Sequence, residues 1–415
     1  MLSAKLGSRA RCAASRLSAP LLRASLRQYT PEVSAADFSA SHKAPTRPMD
    51  VLFFGTSEFA VPILRALAAA REGPARPGAT HPLVGRLEIV VPPKRAQSKS
   101  GQDVPMVLAA RELDLPLHYV TKGTNFRMEG WDLPADAPRD VGVTASFGHM
   151  IPPRVIEQFS MGMINAHGSL LPLLKGASPI QTSLLKGLQE TGVTTTTLHP
   201  TSIDSGRVLR ATPWPIPADA TYPQVVAALA DVAAADTLAV LRDWDATLLR
   251  SQEQGEIIAR DGAPPTALRR APKLSPIAGR VDFAALSAVE AARVWRALAT
   301  YRHVTSRIGA RRVILSGVTV AAETDAAALA LPETAAARAL VSEGSAAGTA
   351  AYDAATQQIV VRCREGVVAV AELQYECKPV VSAHKFAMGL GIMKPGRRDR
   401  FTAETDEPAD ADAAA

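Results

Sequence analysis

The alternation of apolar runs that begins at residue 50 constrains this chain more than any other feature. Asp50-Val-Leu-Phe-Phe-Gly55-Thr-Ser-Glu-Phe59 reads as a buried strand that ends in a glycine turn. Pro62 is placed to open a helix, and Ile63, Leu64 and Leu67 give that helix an apolar face. A Gly/Pro-rich loop at 72–82 leads to a second apolar strand at 87–91. A helix over 103–114 follows, with Val104, Val107, Leu108 and Arg111 at helical spacing, and short strands at 117–120 and 141–146 continue the series. Alternating strands and helices predict a parallel sheet with helices on its faces, so the expected fold class is α/β with a Rossmann-like parallel sheet. Ligands in such folds sit at the carboxyl ends of the strands. The first turn, Phe54-Gly55-Thr56-Ser57, lacks the Gly-x-Gly-x-x-Gly spacing, so a nicotinamide nucleotide is not supported.

The rest of the chain reads differently. Residues from about 205 to 260 are helical and alanine-rich in pattern, and Arg269 to Leu274 forms a basic connector. Beyond it, a helical patch at 287–300 and β-like runs at 312–315, 359–362 and 367–373 predict a small, OB-like β-barrel. The expected division is therefore a leader at 1–30, a linker at 31–48, a catalytic domain at 49–250, a linker at 251–270, a barrel domain at 271–395 and an acidic, disordered tail at 401–415. The leader carries Lys5, Arg9, Arg11, Arg16, Arg23 and Arg27 and no acidic residue, the composition of a mitochondrial matrix presequence. These six basic residues account for the whole formal charge of +6, so global charge says nothing about nucleic acid. Local charge does: residues 269–312 hold ten Arg or Lys against Asp282 and Glu290 alone. No uninterrupted apolar run approaches the roughly 18 residues of a membrane span, so a soluble protein without a membrane partner is expected. Cys12 lies in the leader, which leaves Cys363 and Cys377 as two reduced, buried thiols, with neither a zinc site nor a disulfide framework indicated.

The densest stretch runs from 164 to 206: Ile164-Asn165-Ala-His167-Gly-Ser169-Leu170-Leu171-Pro172-Leu-Leu-Lys-Gly176-Ala-Ser-Pro179-Ile-Gln181, then Thr191-Gly192-Val193-Thr194 and Ile203-Asp204-Ser205-Gly206. Taken singly, a His beside a glycine is an ordinary polar group, Asp204 before Ser-Gly is a turn aspartate, and Ser-Leu-Leu-Pro is an apolar turn. Taken together and in this order, the Asn-x-His, Ser-Leu-Leu-Pro and Asp-x-Gly elements resemble the 10-formyltetrahydrofolate-dependent formyltransferases. The resemblance implies that Asn165, His167 and Asp204 are catalytic and that 10-formyltetrahydrofolate is the co-substrate, with no metal. It also implies that Ser169, Leu170, Leu171 and Pro172 contact the folate and that Ser146, Phe147 and Gly148 line the pterin pocket. The chemistry agrees with these residue types. An amine attacking a formyl carbon passes through a tetrahedral oxyanion, which needs hydrogen-bond donors aimed at the developing charge. On a strand end, Asn165 and His167 point to the same face. A carboxylate at 204 can then orient the imidazole and join the proton's route.

The flanking regions resemble the tRNA-directed members of that family, the methionyl-tRNA formyltransferases. Phe54 to Pro62 looks like their first strand and turn. Ala271-Pro-Lys273-Leu274 through Arg280-Val-Asp282-Phe283 resembles the head of their second domain, and Gly366 to Gln374 with Lys378 and Ser382-Ala383 its closing strands. The expected activity is formylation of methionyl initiator tRNA, with a monomer expected. Lys94, Arg95 and Lys99 in the loop at 92–101, and Arg269, Arg270 and Lys273 in the connector, are the candidate tRNA contacts. The chain departs from the family in Leu173-Leu174-Lys175, where an aromatic residue or Arg is common, and in Ser57, where proline is frequent. A formyltransferase with a small amine acceptor (a ribonucleotide or amino sugar) and an idle RNA-binding relative are the alternatives.

Overall fold

The computed structural model describes residues 40–73, 80–93, 103–301, 303–322, 335–394 and 396–403. The leader, residues 31–39 of the 31–48 linker, Lys94, Arg95, Lys99 and the tail from 404 lie outside the described residues.

The first layer is a seven-stranded sheet in the order β3-β2-β1-β4-β5-β6-β7. Its strands are β1 (Met49–Gly55), β2 (Val84–Val91), β3 (Leu117–Tyr119), β4 (Val141–Ala145), β5 (Met163–His167), β6 (Glu190–Thr197) and β7 (Val208–Pro215). The first five run parallel, whereas β6 is antiparallel to β5 and β7 to β6. Period-two burial explains β1: Val51 and Phe53 enter one core, while Leu52 and Phe54 enter a second beneath the other face. In that second core Phe54 meets Trp131, Phe147 and Phe159 edge-on. The first face is covered by α1 (Val61–Ala69) and α5 (Tyr222–Arg242), which pack on each other. Ile63, Leu64 and Leu67 are buried, as the spacing predicts.

Two readings of this half change. The helix α2 (Pro105–Glu112) turns Met106, Val107, Ala109 and Ala110 inward, and Val104 and Leu108 are exposed. The small alanines let the helix approach the sheet closely, so volume rather than hydrophobicity selects its face. Residues 208–215, expected to be helical, form β7 at the sheet edge. Pro213 and Pro215 cannot sit inside a helix but are tolerated on an edge strand that needs no further donor.

Around the site lie the short α3 (Pro153–Ile156) and α4 (Pro179–Lys186), and after α5 come α6 (Trp244–Leu249) and α7 (Gln254–Asp261). The segment expected as the 251–270 linker is therefore structured: α7 carries a capping box between Glu253 and Glu256, and Gln252 exchanges backbone hydrogen bonds with Val208.

The second half is a closed antiparallel barrel of β8 (Thr305–Ile308), β9 (Arg311–Ala322), β10 (Thr349–Asp353), β11 (Gln358–Arg362), β12 (Val367–Tyr375) and β14 (Asp399–Thr402), sealed by the β11–β12 pairing, with β13 (Val381–Ser382) beside β12. Its helices are α8 (Ala288–Leu298), α9 (Ala335–Ser342) and α10 (Ala383–Leu390). The long β9 coils at Gly317, whose φ of 64° faces Ala371 where a Cβ would stand 2.7 Å away. Phe401 and Thr402, expected at the head of the disordered tail, are strand residues, because the Phe401 ring is buried edge-on against Phe283. Cys363 is buried and Cys377 is exposed, so only the first matches its expectation.

The α8 helix joins the halves. Ser287 caps it, and its buried alanines Ala288, Ala291, Ala292 and Ala297 let it lie against β9 and β12 of the barrel and against α4 and α5 of the first half. One continuous apolar core results, running from Val51 to Phe401.

Candidate active site

The carboxyl ends of β4 and β5 meet at the centre of the first sheet. Asn165 and His167 leave the same face of β5, and both line a cavity of about 430 Å³. The third residue arrives from the turn before β7. Asp204 has a φ of 50°, a left-handed conformation that costs a non-glycine residue about 1 kcal/mol and is best tolerated by Asp and Asn. This turn brings Asp204 Oδ1 to 3.4 Å from Asn165 Nδ2 and 3.6 Å from His167 Nδ1.

The loop after β5 locks the arrangement. His167 Nε2–H donates to the Leu174 carbonyl at 3.1 Å, which leaves Nδ1 directed at the carboxylate. The Gly176 N–H donates to Asp204 Oδ2 at 2.8 Å, so each carboxylate oxygen has its own partner. Gly176 has a φ of 128°, and a Cβ there would lie 2.5 Å from the Ala271 carbonyl oxygen, so only glycine fits this crossing. Lys175 Nζ donates to Ser205 Oγ at 3.1 Å. Burial pulls the Lys175 ammonium below the usual lysine range; Asp204 opposes that shift, and Arg270 adds to it.

The cavity lining includes apolar Phe59, Phe126, Phe147, Ile151 and Leu198, and with them Gln181, Tyr222 and Tyr301. Burial pushes the Tyr222 phenol up to about 12, with Glu58 and Tyr301 adding to the shift, so it remains a neutral donor. His199 also lines the cavity, and its Nδ1 accepts the N–H groups of Thr201 and Ser202 at 3.2 and 3.0 Å. Burial, then Lys175, depress its pKa, so it is a neutral imidazole at pH 7. No group of three or more His, Cys, Asp or Glu residues able to hold a metal occurs among the described residues.

The expected trio of Asn165, His167 and Asp204 is thus brought together, and Ser146, Phe147 and Gly148 line the cavity beside it. Ser169, Leu170, Leu171 and Pro172 do not. They form a turn next to the site in which Ser169 Oγ donates to the Leu173 carbonyl and Thr194 Oγ1 receives the Leu171 N–H. Arg269, Arg270 and Lys273 are exposed, on a connector whose backbone is hydrogen-bonded to residues 174–178. Gln181, His199, Tyr222 and Tyr301 are among the lining residues that the sequence did not single out. Gln181 stands inside the quoted string, whereas Tyr301 comes from the second half of the chain and carried no signal.

Comparison with known proteins identifies the family. Residues 91–241 match the family Formyl transferase, and residues 273–391 match Formyl transferase, C-terminal domain. The mitochondrial methionyl-tRNA formyltransferase of Homo sapiens is 28% identical over 323 residues, 78% of this chain and 73% of that protein. The methionyl-tRNA formyltransferase of Deinococcus radiodurans is 28% identical over 352 residues, 84% of this chain and 95% of that protein. Among solved structures, a sugar 3N-formyl transferase in the presence of dTDP and 5-N-formyl-THF aligns with a TM-score of 0.47 at 13% identity, over 80% of this chain and 99% of that one. With both halves matched in their proper order, the chain belongs to the formyl transferase family and is a formyltransferase enzyme.

Proposed function

We propose that this enzyme moves the formyl group of 10-formyltetrahydrofolate to the amino group of methionyl initiator tRNA in the mitochondrial matrix. The observation that carries the proposal is the convergence of Asn165, His167 and Asp204 on one cavity wall at the carboxyl end of β5. The cavity suits a flat heteroaromatic donor, because Phe147, Ile151 and Leu198 offer apolar contact and Ser146 and Gly148, both with left-handed backbone, line it beside them. The folate supplies an activated formyl group on a nitrogen that departs as an amine. Asn165 donates to the formyl oxygen as negative charge develops there. As the amine bonds to the formyl carbon its proton passes to the His167–Asp204 pair and from there to the folate nitrogen, whose bond to that carbon breaks, with Nδ1 as the exchanging nitrogen because Nε2–H is committed to Leu174.

Similarity to methionyl-tRNA formyltransferases over 78% and 86% of the chain supports the tRNA acceptor, and the mitochondrial relatives together with the Arg-rich leader support the matrix. In this reading the barrel and the connector residues Arg269, Arg270 and Lys273 follow the tRNA backbone, and Lys94, Arg95 and Lys99 approach its acceptor end. The test uses purified residues 31–415 with 10-formyltetrahydrofolate and three acceptors: methionyl-tRNA, free methionine and glycinamide ribonucleotide. Formylation of the charged tRNA in strong preference to both small amines is expected. Preference for a small amine would overturn the acceptor.

A further inference from the structure

Asp204 holds an uncommon backbone conformation, and the groups that keep it there lie in a segment no motif covers. Residues 251–254 run alongside the start of β7. Arg207 Nε and Nη2 donate to the hydroxyl and carbonyl oxygens of Ser251 at 2.8 and 2.9 Å, and its guanidinium also pairs with Glu253. Gln252 exchanges backbone hydrogen bonds with Val208 at 2.7 and 3.1 Å. This lacing delivers Gln254, 2% exposed, under the turn. Both donated hydrogen bonds of its amide go to that turn: Gln254 Nε2 donates to the Asp204 carbonyl at 3.0 Å and to the Gly206 carbonyl at 2.9 Å. Its Oε1 is buried with no hydrogen-bond partner among the described residues. The opposite side of the turn is closed by Thr197, whose carbonyl oxygen would be 1.8 Å from a Cβ at Gly206. The turn is thus gripped between a strand and a glutamine amide, and Asp204 points its carboxylate at His167 from there.

We propose that Gln254 is a positioning residue for the formyl transfer. By bridging the carbonyls of Asp204 and Gly206 it fixes the left-handed turn that aims the Asp204 carboxylate at His167 Nδ1 and the Gly176 N–H. It touches neither substrate, and it acts on the step that needs the carboxylate rather than on binding. The inference rests on the reading of Asp204 as a member of the catalytic trio.

Gln254→Met keeps the length of the side chain and removes both donors, and Gln254→Glu keeps its shape while setting oxygen lone pairs against the two carbonyls. Each is compared with Asp204→Asn in a double-mutant cycle, with kcat and the KM of both substrates measured on soluble enzyme whose thermal midpoint is recorded. Gln254→Met is expected to lower kcat by about tenfold or more with little change in either KM, and Asp204→Asn by about a hundredfold or more. Combined, they should lose little beyond Asp204→Asn alone, because the amide has no carboxylate left to aim. If Gln254→Met does not yield folded protein, Gln254→Glu carries the same cycle. Losses that multiply through the cycle, or a Gln254 effect confined to KM, would overturn the proposal while leaving Asp204 in place. Wild-type kcat in Asp204→Asn itself would instead refute the reading of the trio.

Discussion

At the scale of single residues, Asp204 Oδ1 is shared by two partners: Asn165 Nδ2 at 3.4 Å and His167 Nδ1 at 3.6 Å. Both separations are long for hydrogen bonds, which leaves room for a reacting group to enter and tighten them. What surrounds the trio is less yielding. Gly176→Ala would drive a methyl group into the Ala271 carbonyl and would have to hold a φ of 128°, so the loop must shift and take the Gly176 N–H from Asp204. We expect this substitution to lower kcat by about tenfold or more and to destabilise the fold by roughly 1–3 kcal/mol, measured by steady-state kinetics and denaturant titration. An unchanged kcat would show that the loop does not hold the carboxylate. The two cysteines beyond the leader separate just as sharply. Burial pushes the Cys363 thiol up to about 12, so it should resist a thiol reagent at pH 8 until the chain unfolds, while exposed Cys377 reacts at once. Counting modified thiols on residues 31–415 before and after denaturant checks this, and two rapid reactions in the native protein would contradict it.

At the scale of elements, the site was legible where chemistry and local spacing coincide. Asn165 and His167 are two residues apart on a strand, so their common face follows from the pleat, and the Asp-Ser-Gly run marked the turn that supplies the third group. The Ser169 to Pro172 turn was legible as a turn, but not the burial of Ser169 and Leu171 within it, since its position depends on Thr194 from a strand that no local pattern announced. Residues 251–271 were opaque for a related reason. Their polar, Pro-containing sequence resembles a spacer, yet they are held by backbone pairing with residues 174–178 and 208. In the barrel, alanine-rich text hid β10 and lengthened β9 beyond the apolar core that predicted it, because alanine favours helix locally and enters strands only through tertiary pairing. The connector itself yields a prediction. Its Arg269, Arg270 and Lys273 side chains are exposed, so reversing their charge should leave the fold intact, weaken tRNA binding and flatten its dependence on salt. Binding measured across a salt series decides this, and an unchanged slope would remove the three from the interface.

At the scale of the whole molecule, α8 makes two halves into one body. It lies between barrel strands and helices of the first half, and Tyr301, three residues after its last turn, lines the cavity. A core shared in this way should unfold as a unit, so calorimetry of residues 31–415 is expected to give a single transition, and two separated transitions would show that the halves are energetically independent. The same continuity ties the barrel and its connector to the loop that grips His167 and Asp204. The most direct test of the account is formyl transfer from 10-formyltetrahydrofolate to methionyl-tRNA by Asn165→Ala and His167→Ala, with tRNA affinity measured on the same preparations. Turnover should fall by more than about a hundredfold in each while affinity survives. Wild-type turnover in both variants would contradict it.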